Sequence, residues 1–325
     1  MFGRPALPAL LAPSTASPAK RSRLDRRELG AAIALTLLAA GSLASPFAGP
    51  ALAQTPERIV AVGGVVTEVI YALGLQDKIA GVDSTSQYPA EALKQKANVG
   101  YVRALSAEGV LSLKPSLVIA IQGAGPPDAI SLVNEAGVRL ARIPDDTTAE
   151  GVATKIEAIG AVVGAVEPAR RLAAQTKARF DELAAVRSGI ARKRRVLFVL
   201  SLQNGRALVG GRNSSADAII GLAGGINVAS DIEGFKPMTD EAIIAAAPEV
   251  IVMMSHSSSH NAPADELFAM PSFSQTPAAT ARSLVRMDGL YLLGFGPRAP
   301  MAARDLMAAI YPEAAIPQLK TAAAP

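Results

Sequence analysis

The sequence predicts an α/β fold of two similar lobes, each with a parallel-rich sheet flanked by helices, joined by a long linker helix and leaving a cleft between the lobes. Three observations carry this. Short apolar runs alternate with helical segments in the first half, the pattern of parallel strands with helical crossovers. Apolar residues then recur at helical spacing from 148 to 192, with few breakers. The second half repeats segments of the first.

Taken in chain order, residues 1–53 read as a leader. A basic stretch (Lys20, Arg21, Arg23, Arg26, Arg27) precedes the apolar run 29–43, and Ala51-Leu52-Ala53 stands before Gln54. These are the three parts of a cleaved signal peptide. Gly30, Gly41 and Ser42 interrupt the run, and Pro46 and Pro50 follow it, so it is short for a bilayer span. Export by the general or the twin-arginine route is open, since Arg26-Arg27 is a poor match to the latter.

Charge and cysteine usage narrow the partners. The chain has 32 Lys+Arg and 28 Asp+Glu, and without the leader 26 of each remain. The basic pI of about 9.4 is therefore mostly the leader's, which argues against a nucleic-acid partner. The absence of Cys excludes disulfides, thiolate metal sites, cysteine nucleophiles and a lipidated N-terminal Cys.

The N-terminal lobe is expected over 54–147. Arg58-Ile59-Val60-Ala61-Val62 is a strand ending in Gly63-Gly64; residues 67–73 read as a helix closed by Gly74, and 79–82, 117–120 and 138–141 as further strands. The linker, 148–192, is expected to be one long helix or two in line. The C-terminal lobe spans 193–316 and opens with the strand Val196-Leu197-Phe198-Val199-Leu200, and 317–325 is expected to be a flexible tail.

The repeat is specific. Glu108 and Glu241 each begin a helical turn with a proline seven residues on, Pro115 and Pro248, before a β-branched strand. The helix from Val66 to Gly74 is matched by the one from Ser215 to Gly224. Strand ends from both lobes would converge on the cleft, the place for a ligand.

Asp83-Ser84-Thr85-Ser86-Gln87-Tyr88-Pro89, Val99-Gly100-Tyr101-Val102-Arg103 and Lys114-Pro115-Ser116-Leu117-Val118-Ile119 resemble the helix-linked substrate-binding proteins of vitamin B12, siderophore and haem importers. Gly-Tyr-x-Arg, Gly210-Gly211-Arg212 and Leu290-Tyr291-Leu292-Leu293-Gly294-Phe295-Gly296 are similar to the haem-binding members. The resemblance covers nearly all of the chain beyond the leader. It implies a periplasmic, non-enzymatic protein that carries ferric haem, one or two per chain, to the permease dimer of an ABC importer with its ATPase subunits. A rigid linker and docking through one surface acid per lobe are implied as well.

Ferric haem needs a ligand for iron, apolar walls and cations for its propionates. Tyr101 is the expected ligand. A phenol with a pKa near 10 needs its phenolate stabilised, and Arg103, two residues on in an extended segment, would lie on the same side. Tyr88 is a candidate pocket wall, whereas Tyr71 and Tyr291 read as packed, Tyr291 in an apolar strand. His256 and His260 are the only histidines; His256 is a candidate second axial ligand, an exposed polar loop being the equal alternative. Arg212 and Arg298 lead the propionate candidates, ahead of Arg206 and Lys236. Glu108 and Glu241 are the docking acids, with Glu68 third. A vitamin B12 or ferric-siderophore binder is the nearest rival. Against a secreted hydrolase, the sequence has no Gly-x-Ser-x-Gly and no His-Glu-x-x-His, and two histidines are few for a zinc site.

Overall fold

The computed structural model describes residues 57–203, 206–255 and 263–320. Residues 1–56, which hold the expected leader, and His256 and His260 lie outside them. In the first lobe the chain forms β1 (Ile59–Val62), α1 (Gly64–Ala72), β2 (Ile79–Val82), α2 (Glu91–Gln95) and β3 (Ala97–Asn98). The hairpin of β4 (Gly100–Tyr101) and β5 (Ala104–Leu105) follows, then α3 (Ala107–Ser112), β6 (Leu117–Ile121), α4 (Pro127–Glu135) and β7 (Arg139–Ile143). The sheet has the order β3-β2-β1-β6-β7 and every pairing in it is parallel. Its central strands β1 and β6 are buried at every residue, which explains why they read as unbroken apolar runs rather than alternating ones.

The linker region departs from expectation. It is neither one helix nor two in line: α5 (Ala149–Val162) and α6 (Val166–Ser188) fold back on one another. Lys177 of α6 reaches Glu150 at the start of α5 at 2.7 Å, while Gly160 near the end of α5 faces Ala169 near the start of α6. A Cβ on Gly160 would lie 2.1 Å from that of Ala169, so glycine permits the close approach. Helix α5 thus belongs to the first lobe, where it packs on α1 and β7. The crossing element is α6, 23 residues or about 34 Å long. Its buried residues Ala169, Ala173, Thr176, Phe180 and Leu183 form one stripe.

The second lobe comprises β8 (Arg195–Gln203), β9 (Arg206–Gly210), α7 (Ser215–Leu222), β10 (Ile226–Asn227), β11 (Phe235–Met238), α8 (Asp240–Ala246) and β12 (Val250–Met254). It continues with α9 (Ala264–Ala269), α10 (Pro271–Ser274), α11 (Pro277–Ala281), β13 (Leu284–Met287), α12 (Gly289–Leu293) and α13 (Ala299–Ile310). Its sheet, β11-β9-β8-β12-β13 with β10 on β8, mixes parallel and antiparallel pairs. Tyr291 lies in α12, not in a strand, because Asp288 caps that turn by accepting from the Tyr291 N–H at 2.8 Å.

The repeat seen in the sequence is present in the backbone. Gly74 after α1 and Gly224 after α7 have φ of +72° and +78°. Each helix closes with the same three hydrogen bonds, including Leu75 N–H to Ile70 C=O and Gly225 N–H to Ile220 C=O.

One apolar cluster runs through both lobes, joining Ile59 and Val66 to Ile156, Phe180, Phe198 and Leu306. The chain end joins it. Of the tail expected over 317–325, residues 321–325 lie outside the described residues; in 317–320, Leu319 is buried in this cluster, and the Lys320 N–H donates to Glu182 at 2.9 Å. Arg304 donates to the carbonyls of Ile316 and Pro317. No helix among the described residues is long and apolar enough to cross a membrane.

Candidate ligand-binding cleft

Between the lobes lies a cavity of about 570 Å³. In the first lobe its walls follow the C-terminal ends of parallel strands: Gly63 and Gly64 after β1, Thr85 and Gln87 after β2, Gln122 after β6, and Asp145 and Thr147 after β7. Leu200, Leu208, Phe235, Met254, Leu290 and Leu293 make the opposite, apolar wall. A second concavity of about 660 Å³ beside α8 is walled by the second lobe alone and has no tyrosine among its lining residues.

The floor under α1 is built by Asp83, which is fully buried. One carboxylate oxygen accepts from the Gly63 N–H at 2.8 Å and the Ser86 hydroxyl at 3.0 Å. The other accepts from the Thr85 N–H at 3.0 Å and the Thr85 hydroxyl at 2.6 Å. The Thr85 hydroxyl in turn accepts from the Gly64 N–H at 2.9 Å. Gly63 has φ of +109°, and a Cβ on Gly64 would lie 2.3 Å from the Thr85 carbonyl oxygen. The glycine pair is needed for this close approach of backbones, and the Asp-Ser-Thr-Ser stretch is its hydrogen-bonding frame.

Tyr101 and Arg103 both line the cavity, and Tyr101 is 50% exposed. Their geometry differs from the extended segment expected. Val102 and Arg103 are the two turn residues of the β4–β5 hairpin, with Tyr101 paired to Ala104, so Arg103 sits on a tight turn and not on the same face of one strand as the tyrosine.

The other four tyrosines are committed elsewhere. The Tyr71 hydroxyl is buried; that burial, followed by Glu91 and Asp77, pushes its phenol up. Tyr88 lies under the guanidinium of Arg298, whose Cζ is 3.4 Å from the ring centroid. Tyr291 donates to Asp305 at 2.8 Å, and burial together with that bond drives its phenol far above the usual range. Tyr311 donates to the Gly224 carbonyl and accepts from the Arg194 N–H, and burial raises its phenol too.

The cations expected to meet propionates are placed away from the cleft lining. Arg212 pairs with Glu233 at 3.1 Å within its own lobe. Arg298 pairs with the buried Glu68 at 2.9 Å across the lobes, so Glu68 is an interlobe partner and not a surface acid. Sequence reasoning missed this pair, and also Asp145 with Lys155. The Lys155 ammonium is fully buried, 2.7 Å from Asp145 and 3.4 Å from the carbonyl of Phe295. Two adjacent acids, Asp145 and Asp146, just after a buried strand end were the available signal. Among the described residues no group of three His, Asp or Glu is placed to hold a metal ion.

Glu108 and Glu241 are exposed and stand at the same place in their helices. Ser106 caps α3 by accepting from the Gly109 N–H at 3.0 Å, and Thr239 caps α8 by accepting from Ala242 at 3.2 Å; each acid is in the first turn.

Residues 59–290 match the family described as "Periplasmic binding protein". The chain belongs to the periplasmic binding protein family. This is a family of non-catalytic solute-binding proteins. The structure is similar to the apo form of the periplasmic heme-binding protein RhuT from Roseiflexus sp. RS-1, with 39% identity and a TM-score of 0.76. The match covers 79% of this chain and 99% of that one. By sequence the chain is 27% identical to the uncharacterised ABC transporter substrate-binding lipoprotein YvrC of Bacillus subtilis, over 80% of this chain and 82% of the relative. It is also 27% identical to a vitamin B12-binding protein of Vibrio cholerae, over 65% and 76%.

Proposed function

We propose that this periplasmic binding protein captures ferric haem in the interlobe cleft and delivers it to the permease of an ABC importer. The observation that carries the reading is the placement of Tyr101: of five tyrosines, it alone lines the cleft, half-exposed, in a cavity that Arg103 also lines and that has an apolar wall. A phenolate is a hard, anionic donor suited to ferric iron, and Leu200, Leu208, Phe235 and Met254 suit a flat apolar ring. The likeness to a heme-binding neighbour at 39% identity supports the same ligand. His256 remains a candidate sixth ligand, and Glu108 with Glu241 the docking acids.

The test is an absorption titration with hemin, read for Soret position and stoichiometry. A tyrosinate spectrum that Tyr101→Phe abolishes is the expected result. The sequence likeness to a vitamin B12-binding protein favours a second reading, in which the same cleft takes a corrinoid. Cyanocobalamin displacing hemin, or binding alone, would select it.

A further inference from the structure

Contacts between the lobes run along one segment of the second lobe, residues 290–298. Leu290 lies against Gly64, where an added Cβ would meet its Cδ1 at 2.7 Å. The Phe295 carbonyl accepts from the buried Lys155 at 3.4 Å. At the end of the segment Arg298 makes the densest set. Its Nη2 donates to Glu68 Oε2 at 2.9 Å and its backbone N–H donates to Glu68 Oε1 at 3.2 Å. Its guanidinium also covers Tyr88 at 3.4 Å. The Arg298 and Glu68 side chains are 21% and 5% exposed, so solvent screens their ion pair little, while the Tyr88 ring keeps its other face in solvent.

We propose that Arg298 is a positioning residue, a staple that through Glu68 and Tyr88 sets the gap between the lobes and thereby the residence of the ligand. The staple reaches the cleft by two routes. Segment 290–298 contributes Leu290, Leu293 and Gly294 to the cleft, and the loop bearing Tyr88 contributes Thr85 and Gln87. A planar guanidinium gripping a carboxylate on one edge and a ring on its face fixes distance and angle at once. A buried pair adds little net stability against an apolar replacement but is costly to break by half, so its main effect is on geometry. Packing on either side is tight: a Cβ on Gly296 would sit 3.2 Å from the Glu68 carboxyl carbon.

The inference concerning ligand residence rests on the cleft being the haem site; that concerning lobe spacing does not. Because the chain has no cysteine, Ser131→Cys on α4 and Lys236→Cys on β11, both exposed, give a unique spin-label pair spanning the lobes. Without ligand, the parent should show one narrow distance distribution. Arg298→Lys keeps the charge and loses the planar grip. Glu68→Gln with Arg298→Met removes both charges and leaves neither buried alone. Each should roughly double the width of the distribution, as expected when more than one lobe arrangement becomes populated. Arg170→Met, which breaks the Arg170–Glu167 pair within α6, should not. Hemin dissociation from the two staple variants should be roughly tenfold faster, since changes in one interface appear chiefly in the off-rate. Unchanged distributions in both staple variants would overturn the proposal. Widened distributions with unchanged hemin dissociation would overturn the link to residence. A parent protein that binds no hemin would defeat the haem reading and leave the distance result to decide the staple.

Discussion

Lys114 and Ala247 share a left-handed backbone state, φ +46° and +43°, one residue before Pro115 and Pro248 in the two lobes. Neither residue is glycine, so each bears a steric cost. Each residue ends its helix, Lys114 N–H donating to the Leu111 carbonyl and Ala247 N–H to the Ile244 carbonyl, in the left-handed turn common at helix ends, and the following proline bars the helix from continuing. The same unusual solution at matched positions ties α3 to α8, and with them Glu108 to Glu241.

Those acids are expected to act at the permease. The double change Glu108→Ala with Glu241→Ala should leave hemin affinity unchanged and cost about 0.3–1 kcal/mol per helix start. Haem uptake into transporter-bearing liposomes should fall sharply and mimic the effect of high salt on the parent. Full uptake by the double variant would reduce the two residues to helix-start acids.

Tyr101 is half-exposed, so Tyr101→Phe should shift stability by no more than about 0.5 kcal/mol while removing the tyrosinate spectrum. Arg103→Ala should weaken ferric hemin by roughly 10- to 100-fold, the usual effect of losing a group that supports a metal ligand. Parallel thermal melts and hemin titrations separate the two effects; an unaltered spectrum in the Phe variant excludes Tyr101 as ligand.

Asp145 shares its cleft position with a structural duty. Asp145→Asn leaves the fully buried Lys155 ammonium facing a neutral amide and should cost about 1–3 kcal/mol. Lys155→Met, which fills the same space without charge, should be milder. Urea midpoints for the two variants in the order opposite to this would refute the assignment.

Removal of residues 317–325 is expected to destabilise the protein. Burial of one leucine is worth about 1.5–3 kcal/mol, and Leu319 is buried while Pro317 and Lys320 hold Arg304 and Glu182. A truncated chain melting at the parental temperature would show the tail to be dispensable.

Local signals were legible in the sequence and long-range partners were not. Strands such as Ile79–Val82 and the glycine-closed helices α1 and α7 follow from a few adjacent residues. The fold-back of α5 on α6 does not, since it turns on Gly160 meeting Ala169 across a bend, and helical periodicity is the same for two helices in line or antiparallel. Tyr291 was misplaced because an apolar run of four reads equally well as strand or buried turn; the cap at Asp288 was the overlooked cue. For Arg298 the partner is 230 residues away, and nothing near an arginine in sequence announces a carboxylate at that separation. Tyr101 and Arg103 line one cavity, and they are carried on a two-residue turn and not on the extended segment expected.

The apolar cluster that joins Ile59, Ile156, Phe180, Phe198 and Leu306 makes the two lobes one thermodynamic unit. Each lobe has a smaller apolar cluster to itself, around Val118 in the first and Ile251 in the second, but the larger one is shared: without the second lobe, α6 loses the cover of α13 and α7. Denaturation followed by circular dichroism and by cleft-directed fluorescence should therefore give superimposable single transitions. A chain divided after α6 into two fragments should yield halves that stay largely unfolded apart and regain structure only when mixed, so that fragment complementation, rather than independent domain folding, describes how this molecule is assembled.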